Sequence, residues 1–202
     1  MDPFSYIIVL TSIILGLGVT RTVGGLGHLL QTRKRRPPFW IHTLWLLNLL
    51  IVFALMWFVA YRWRSNEHWT FFLFIWLLIT PTILYLISSL LFPDQDEAEP
   101  IDNWQTYFFD HHREIFLLLA ALFPIDLIDT ALKGWQHFRE QGLLYPATML
   151  TWLALSLIAA FTKNKIFHGC FAIIFMMWNL AFAGMMLITA QDAIGAKLFR
   201  TQ

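Results

Sequence analysis

Apolar residues in this chain fall in long unbroken blocks, not at alternate positions. Five blocks run Phe4–Leu30, Phe39–Tyr61, Trp69–Phe92, Leu143–Phe161 and Ile166–Thr189. At about 1.5 Å per residue, each can cross a hydrocarbon core of about 30 Å as a helix. A sixth segment, residues 104–133, contains the apolar run Ile115–Leu132 but carries Asp126 and Asp129 in its second half. Strands of a membrane barrel would alternate apolar and polar residues, whereas Leu49–Phe58 is apolar on all sides. The pattern predicts an all-α, polytopic membrane protein: one transmembrane domain over residues 1–202, a bundle of six helices. Five crossings, with residues 104–133 re-entrant or interfacial, is the alternative.

Composition agrees. The chain is 58% hydrophobic, 17% aromatic and 13% charged, against about 25% charged in soluble domains. A net charge of +1 gives no nucleic-acid footprint. The single cysteine, Cys170, cannot form an internal disulfide. The opening Met-Asp-Pro-Phe-Ser lacks the basic region of a signal peptide, so the first block is read as a retained helix.

Orientation rests on Arg33, Lys34, Arg35 and Arg36, directly after the first block. The positive-inside rule makes the loop 31–38 cytoplasmic and puts the N-terminus outside, in a bacterial inner (plasma) membrane. The later loops discriminate weakly, and counted alone they favour five crossings. Six is taken because Ile115–Phe123 belongs in hydrocarbon. The loop 93–103 holds Asp94, Asp96, Glu97, Glu99 and Asp102 and lacks the glycine turn and terminal glutamate of a calcium loop. It reads as a solvated strip that a basic protein partner could use. Asp102 or Asn103 would cap the following helix.

Charge inside the spans is the first candidate chemistry, because it is costly there and usually faces a cavity or a partner. Arg21 interrupts the first helix about 6 Å from its midpoint. Arg21 could snorkel to the cytoplasmic headgroups; if it pairs, Glu114, within about 5 Å of the same depth, is the expected partner. Asp126 and Asp129 are three residues apart and share a helix face. Pro124 frees the Ala120 carbonyl beside them, a donor set suited to a proton, Na⁺ or a substrate amine. The plain alternative is that both acids meet the headgroups near Lys133. Asn48, Thr80, Thr82 and Asn179 lie at mid-depth. They would bond between helices or line a wet cavity.

Four histidines, His28, His42, His112 and His168, gather by topology at the cytoplasmic end. They would suit a metal or haem site, although no pair has a diagnostic spacing. No cofactor is the default expectation. Gly16, Thr20 and Gly24, at steps of four, form a small-residue stripe for close helix packing, within the chain or between copies.

Three classes follow. The leading one is an oligomeric ion or small-solute channel or transporter with Arg21, Glu114, Asp126 and Asp129 on its path. The second is a non-catalytic sensor, effector or assembly subunit. The third is a histidine-ligated membrane oxidoreductase or a metal-dependent lipid enzyme. The bilayer is the expected partner, and a homo-oligomer the expected state.

Overall fold

The computed structural model describes residues 3–65, 69–92, 101 and 103–200, with side chains from residues 4–60, 63–64, 69–92, 101 and 103–188. Six long helices follow one another: α1 (Pro3–Thr32), α2 (Trp40–Tyr61), α3 (Phe71–Leu91), α4 (Trp104–Leu132), α6 (Leu144–Phe161) and α7 (Lys165–Arg200). A 3₁₀ turn, Arg62–Ser65, ends α2, and the short helix α5 (Trp135–Glu140) joins α4 to α6. Each long helix contains a segment long and apolar enough to cross a membrane; in α7 that segment is Lys165–Ile188. The protein is therefore an all-α, multi-pass membrane protein, and the described residues include no strand.

Local signals account for the helix ends. Thr70 caps α3 by accepting from the Leu73 amide, and Asn103 caps α4 by accepting from Gln105. Pro124 does not end α4, which continues to Leu132. Both acids are thus carried on regular helix. Gly134, at φ 133°, makes the turn into α5, a conformation costly for any residue with a Cβ.

Helix α4 packs on α6 and α3, α1 on α3 and α2, and α2 on α7. The largest buried cluster joins α2, α4 and α7 through rings. Trp45 packs against Phe116, Phe171 and Phe175 at centroid distances of 5.0, 5.3 and 5.6 Å. A smaller cluster of Phe4, Ile7, Trp63 and Leu77 holds the start of α1 against α3 at the other end.

The small-residue stripe of α1 is not used for packing within the chain. Gly16, Thr20 and Gly24 are exposed, and a Cβ at either glycine would meet nothing within 4 Å. The close contacts are one face round. A Cβ at Gly18 would collide with the Phe53 ring, and one at Gly25 would lie 2.8 Å from Phe92 Cγ. Thr22, fully buried between them, folds its hydroxyl back to the Gly18 carbonyl. The reason is the neighbour: the rings of Phe53 on α2 and Phe92 just after α3 need the gaps, while the Gly16 stripe faces away from the bundle.

Candidate functional site

The last turn of a helix leaves carbonyls without intrahelical donors, and in hydrocarbon each must find a partner. Helix α3 solves this with three other helices. Tyr107 of α4 donates its hydroxyl to the Leu90 carbonyl at 2.8 Å, His42 of α2 sets Nε2 2.7 Å from that of Leu91, and Arg21 of α1 donates Nε to that of Phe92 at 3.1 Å. Trp104 closes the assembly, stacking on His42 at 5.2 Å and on Phe92 at 5.2 Å. This geometry corrects the expected Arg21–Glu114 pair. Arg21 turns to the end of α3, while Glu114 is exposed on α4 and makes no bond to it. Depth matched, but the two side chains leave their helices in different directions.

The histidines do not converge either. His28 and His42 belong to the Trp104 assembly, His28 lying edge-on to Phe92 at 5.4 Å. His112 and His168 form a separate pair with centroids 5.9 Å apart, walled by Phe109. His112 Nδ1 lies 2.6 Å from the Phe109 carbonyl, and His168 Nε2 2.8 Å from that of Thr162. Among the described residues no three His, Cys, Asp or Glu side chains are grouped to hold a metal ion. The four histidines are thus not gathered into one ligand set; their rings lie against backbone carbonyls and aromatic side chains.

At the opposite end of the bundle lies a cavity of about 260 Å³ between α2, α3, α4, α6 and α7. Its walls are mainly apolar and aromatic: Leu55, Val59, Trp76, Phe123, Trp152 and Trp178 among them. Five polar side chains enter it: Asp126, Asp129, Tyr145, Thr80 and Asn179. Four of these were singled out in the sequence. Tyr145 was not, because a tyrosine beside Pro146 at a helix start reads as an interfacial aromatic. Of the other mid-depth candidates, Asn48 lies outside this cavity, donating Nδ2 to the Ala172 carbonyl at 3.0 Å. Thr82 is exposed and bonds the Leu78 carbonyl of its own helix. Neither Arg21 nor Glu114 lines the cavity.

The carboxylates are differently held. Asp129 Oδ2 accepts from Lys133 Nζ at 2.5 Å, and both side chains are largely buried. Lys133 also stands 5.2 Å over the Trp63 ring. Asp126 Oδ2 accepts the Tyr145 hydroxyl at 2.6 Å, and Thr130 Oγ1 is 2.7 Å from the same oxygen of Tyr145. Lys133 thus takes Asp129, and both acids also line the cavity.

Asn179 completes the polar set. It is 8% exposed, and its Nδ2 bonds the Phe175 carbonyl at 2.8 Å. Between the cavity and the histidine end stand the buried rings of Trp45, Phe108, Phe116 and Phe171. The chemistry available is therefore a partly open, mainly apolar space with two carboxylates and a phenol at one end and a hydroxyl and an amide elsewhere in its lining. Comparison with protein families, with curated proteins and with solved structures finds no match for this chain.

Proposed function

We propose that this protein is a small-solute transporter of the carrier type, with the cavity beside Asp126 and Asp129 as its binding site. The observation that carries the reading is the convergence of polar side chains from α3, α4, α6 and α7 on one apolar space inside a bilayer-spanning bundle. Apolar pockets with a few convergent polar groups are the usual form of small-molecule sites. Buried ionisable groups in membrane helices mark pathways more often than packing. A carrier fits better than an open channel because packed rings fill the level of Trp45 and Phe116. Passage then requires those helices to rearrange around the site.

In the same reading the protein sits in a bacterial inner membrane as a homo-oligomer, with loop 31–38 cytoplasmic and Asp126 towards the outside. Residues 93–100 and 102, the acidic strip proposed for a basic partner, lie outside the described residues. The test is uptake of radiolabelled cationic, anionic and neutral solutes into proteoliposomes. Saturable uptake of at least one class, lost in Thr80→Trp, which fills the cavity, is the expected result. No uptake above protein-free liposomes for any class overturns it. A second reading, a ligand sensor that does not transport, is favoured by the same ring-packed level. It predicts binding without flux.

A further inference from the structure

We infer that one internal water molecule is bound between Trp45 and Asn48 of α2, in a small chamber that adjoins the larger cavity. The inference stands apart from the solute reading, because it rests on a different space and on different atoms.

Two buried side chains of α2 each carry a polar atom that no described residue satisfies. Trp45 is 4% exposed, and its Nε1 donates to no described atom. Asn48 is 1% exposed, and its Oδ1 accepts from none. The amide is oriented from its other end. Nδ2 donates to the Ala172 carbonyl at 3.0 Å, and a carbonyl can only accept, so Oδ1 is the end left over. An indole N–H, in turn, can only donate. The two residues are three apart and so share one face of α2, yet they do not bond each other. Hydrocarbon around the bundle offers no hydrogen bond to either. Buried polar groups nearly always have a partner, and where the protein supplies none an ordered water does.

The space has the matching size. Trp45 and Asn48 both line a chamber of about 20 Å³, together with Leu49, Ile87, Leu91 and Ile115. One water needs roughly 10–15 Å³ by this measure, whereas a benzene occupies a space of about 150 Å³. The chamber therefore takes a water and excludes an organic solute. No charged side chain lines it, so an ion would lose its hydration without a counter-charge. A water meets both needs at once: its oxygen accepts from Trp45 Nε1, and one of its hydrogens goes to Asn48 Oδ1. Two polar partners are the minimum for a buried water.

A route in is visible from the shared walls. Val52, Leu84, Leu119 and Phe175 line both this chamber and the larger cavity. The water thus exchanges through the cavity and not through the lipid. A dry alternative exists for the indole alone. The Phe116 ring stands at 77° to Trp45 with centroids 5.0 Å apart, and an N–H can donate weakly to a ring face. That contact would still leave Asn48 Oδ1 without a donor, and the water serves both groups.

The experiment is nuclear magnetic resonance on the full chain, labelled with ¹⁵N-indole tryptophan, in nanodiscs of deuterated lipid. Trp45 is one of ten tryptophans. Its resonance is identified by its loss in Trp45→Phe and, in the wild type, by contacts to the rings of Phe116 and Phe171. The expected result is a cross-peak from the Trp45 indole proton to water that changes sign between laboratory-frame and rotating-frame spectra. That sign change marks contact with a held water, as distinct from proton exchange. Asn48→Leu, which removes the acceptor, should abolish the cross-peak while the other indole resonances keep their positions. An indole proton shifted to high field by a facing ring, with no contact to water, would show the chamber to be dry and overturn the inference. So would a water contact undiminished in a folded Asn48→Leu. Should that variant fail to fold, the wild-type spectrum decides by itself: a held-water contact supports the site and its absence overturns it.

Discussion

Tyr145 of α6 donates its hydroxyl to Asp126 of α4 at 2.6 Å, and the same oxygen lies 2.7 Å from Thr130 Oγ1. This phenol ties the two helices together at the polar end of the cavity. Removing only the hydroxyl, in Tyr145→Phe, leaves Asp126 without that donor in a half-buried setting. The expected cost is about 1–3 kcal/mol, the range for a buried polar group losing its partner. Chemical unfolding in detergent micelles measures it. Asp126→Asn, which can still accept from Tyr145, should cost less. Equal stability of Tyr145→Phe and the wild type would mean the bond is not part of the folded state.

The end of α3 offers a second test. Tyr107, His42 and Arg21 each satisfy one of three successive carbonyls. His42→Phe keeps a ring against Trp104 but leaves the Leu91 carbonyl unbonded, at an expected cost of about 1–3 kcal/mol. Arg21→Met should cost a similar amount through Phe92. The two should not add, because neighbours on one helical turn relax together and couple by about 0.5–3 kcal/mol. A double-mutant cycle on unfolding free energy reads this, and strict additivity would show that the carbonyls are capped independently.

Close packing along α1 predicts a one-sided response to small substitutions. Gly18→Ala drives a methyl into the Phe53 ring, and Gly25→Ala places one 2.8 Å from Phe92 Cγ. Overpacking of this kind costs about 1–3 kcal/mol. Gly16→Ala and Gly24→Ala meet nothing within 4 Å, so the folded monomer should be unaffected or slightly stabilised by the better helix former. Thermal denaturation of the four variants separates the faces. Loss of stability in Gly16→Ala or Gly24→Ala would indicate a second copy packed on that face.

Much of the architecture is legible in the sequence because the bilayer fixes helix length. The six apolar segments match the six long helices to within two residues at most ends, and Asn103, one of the two cap candidates with Asp102, caps α4. Which way each helix faces is harder to read. In a soluble helix the polar side marks the outside, but here lipid and interior are both apolar, so rotation leaves little trace. At about 100° per residue, the face that Gly18 and Gly25 turn to Phe53 and Phe92 lies roughly 150° round the helix from the Gly16, Thr20 and Gly24 stripe. Arg21 and Glu114 were matched by depth alone, and depth says nothing of azimuth. Asp126, Asp129, Thr80 and Asn179 were legible as candidates because polar residues in a span are conspicuous. Their convergence was not, since it depends on how α3, α4 and α7 are turned.

The central claim is that a solute enters the cavity from the Asp126 side, and the most direct measurement is thiol accessibility in oriented membranes. Exposed Cys170 is replaced by serine, and single cysteines are placed at Asn179 and, as a buried control outside the cavity, at Asn48. A small cationic, membrane-impermeant methanethiosulfonate is added from the side opposite Arg33–Arg36. Rapid labelling of Asn179→Cys, with Asn48→Cys unreactive, is the expected result. Labelling of Asn179→Cys no faster than Asn48→Cys would mean that the cavity is packed off from solutes, and the transporter reading would fall.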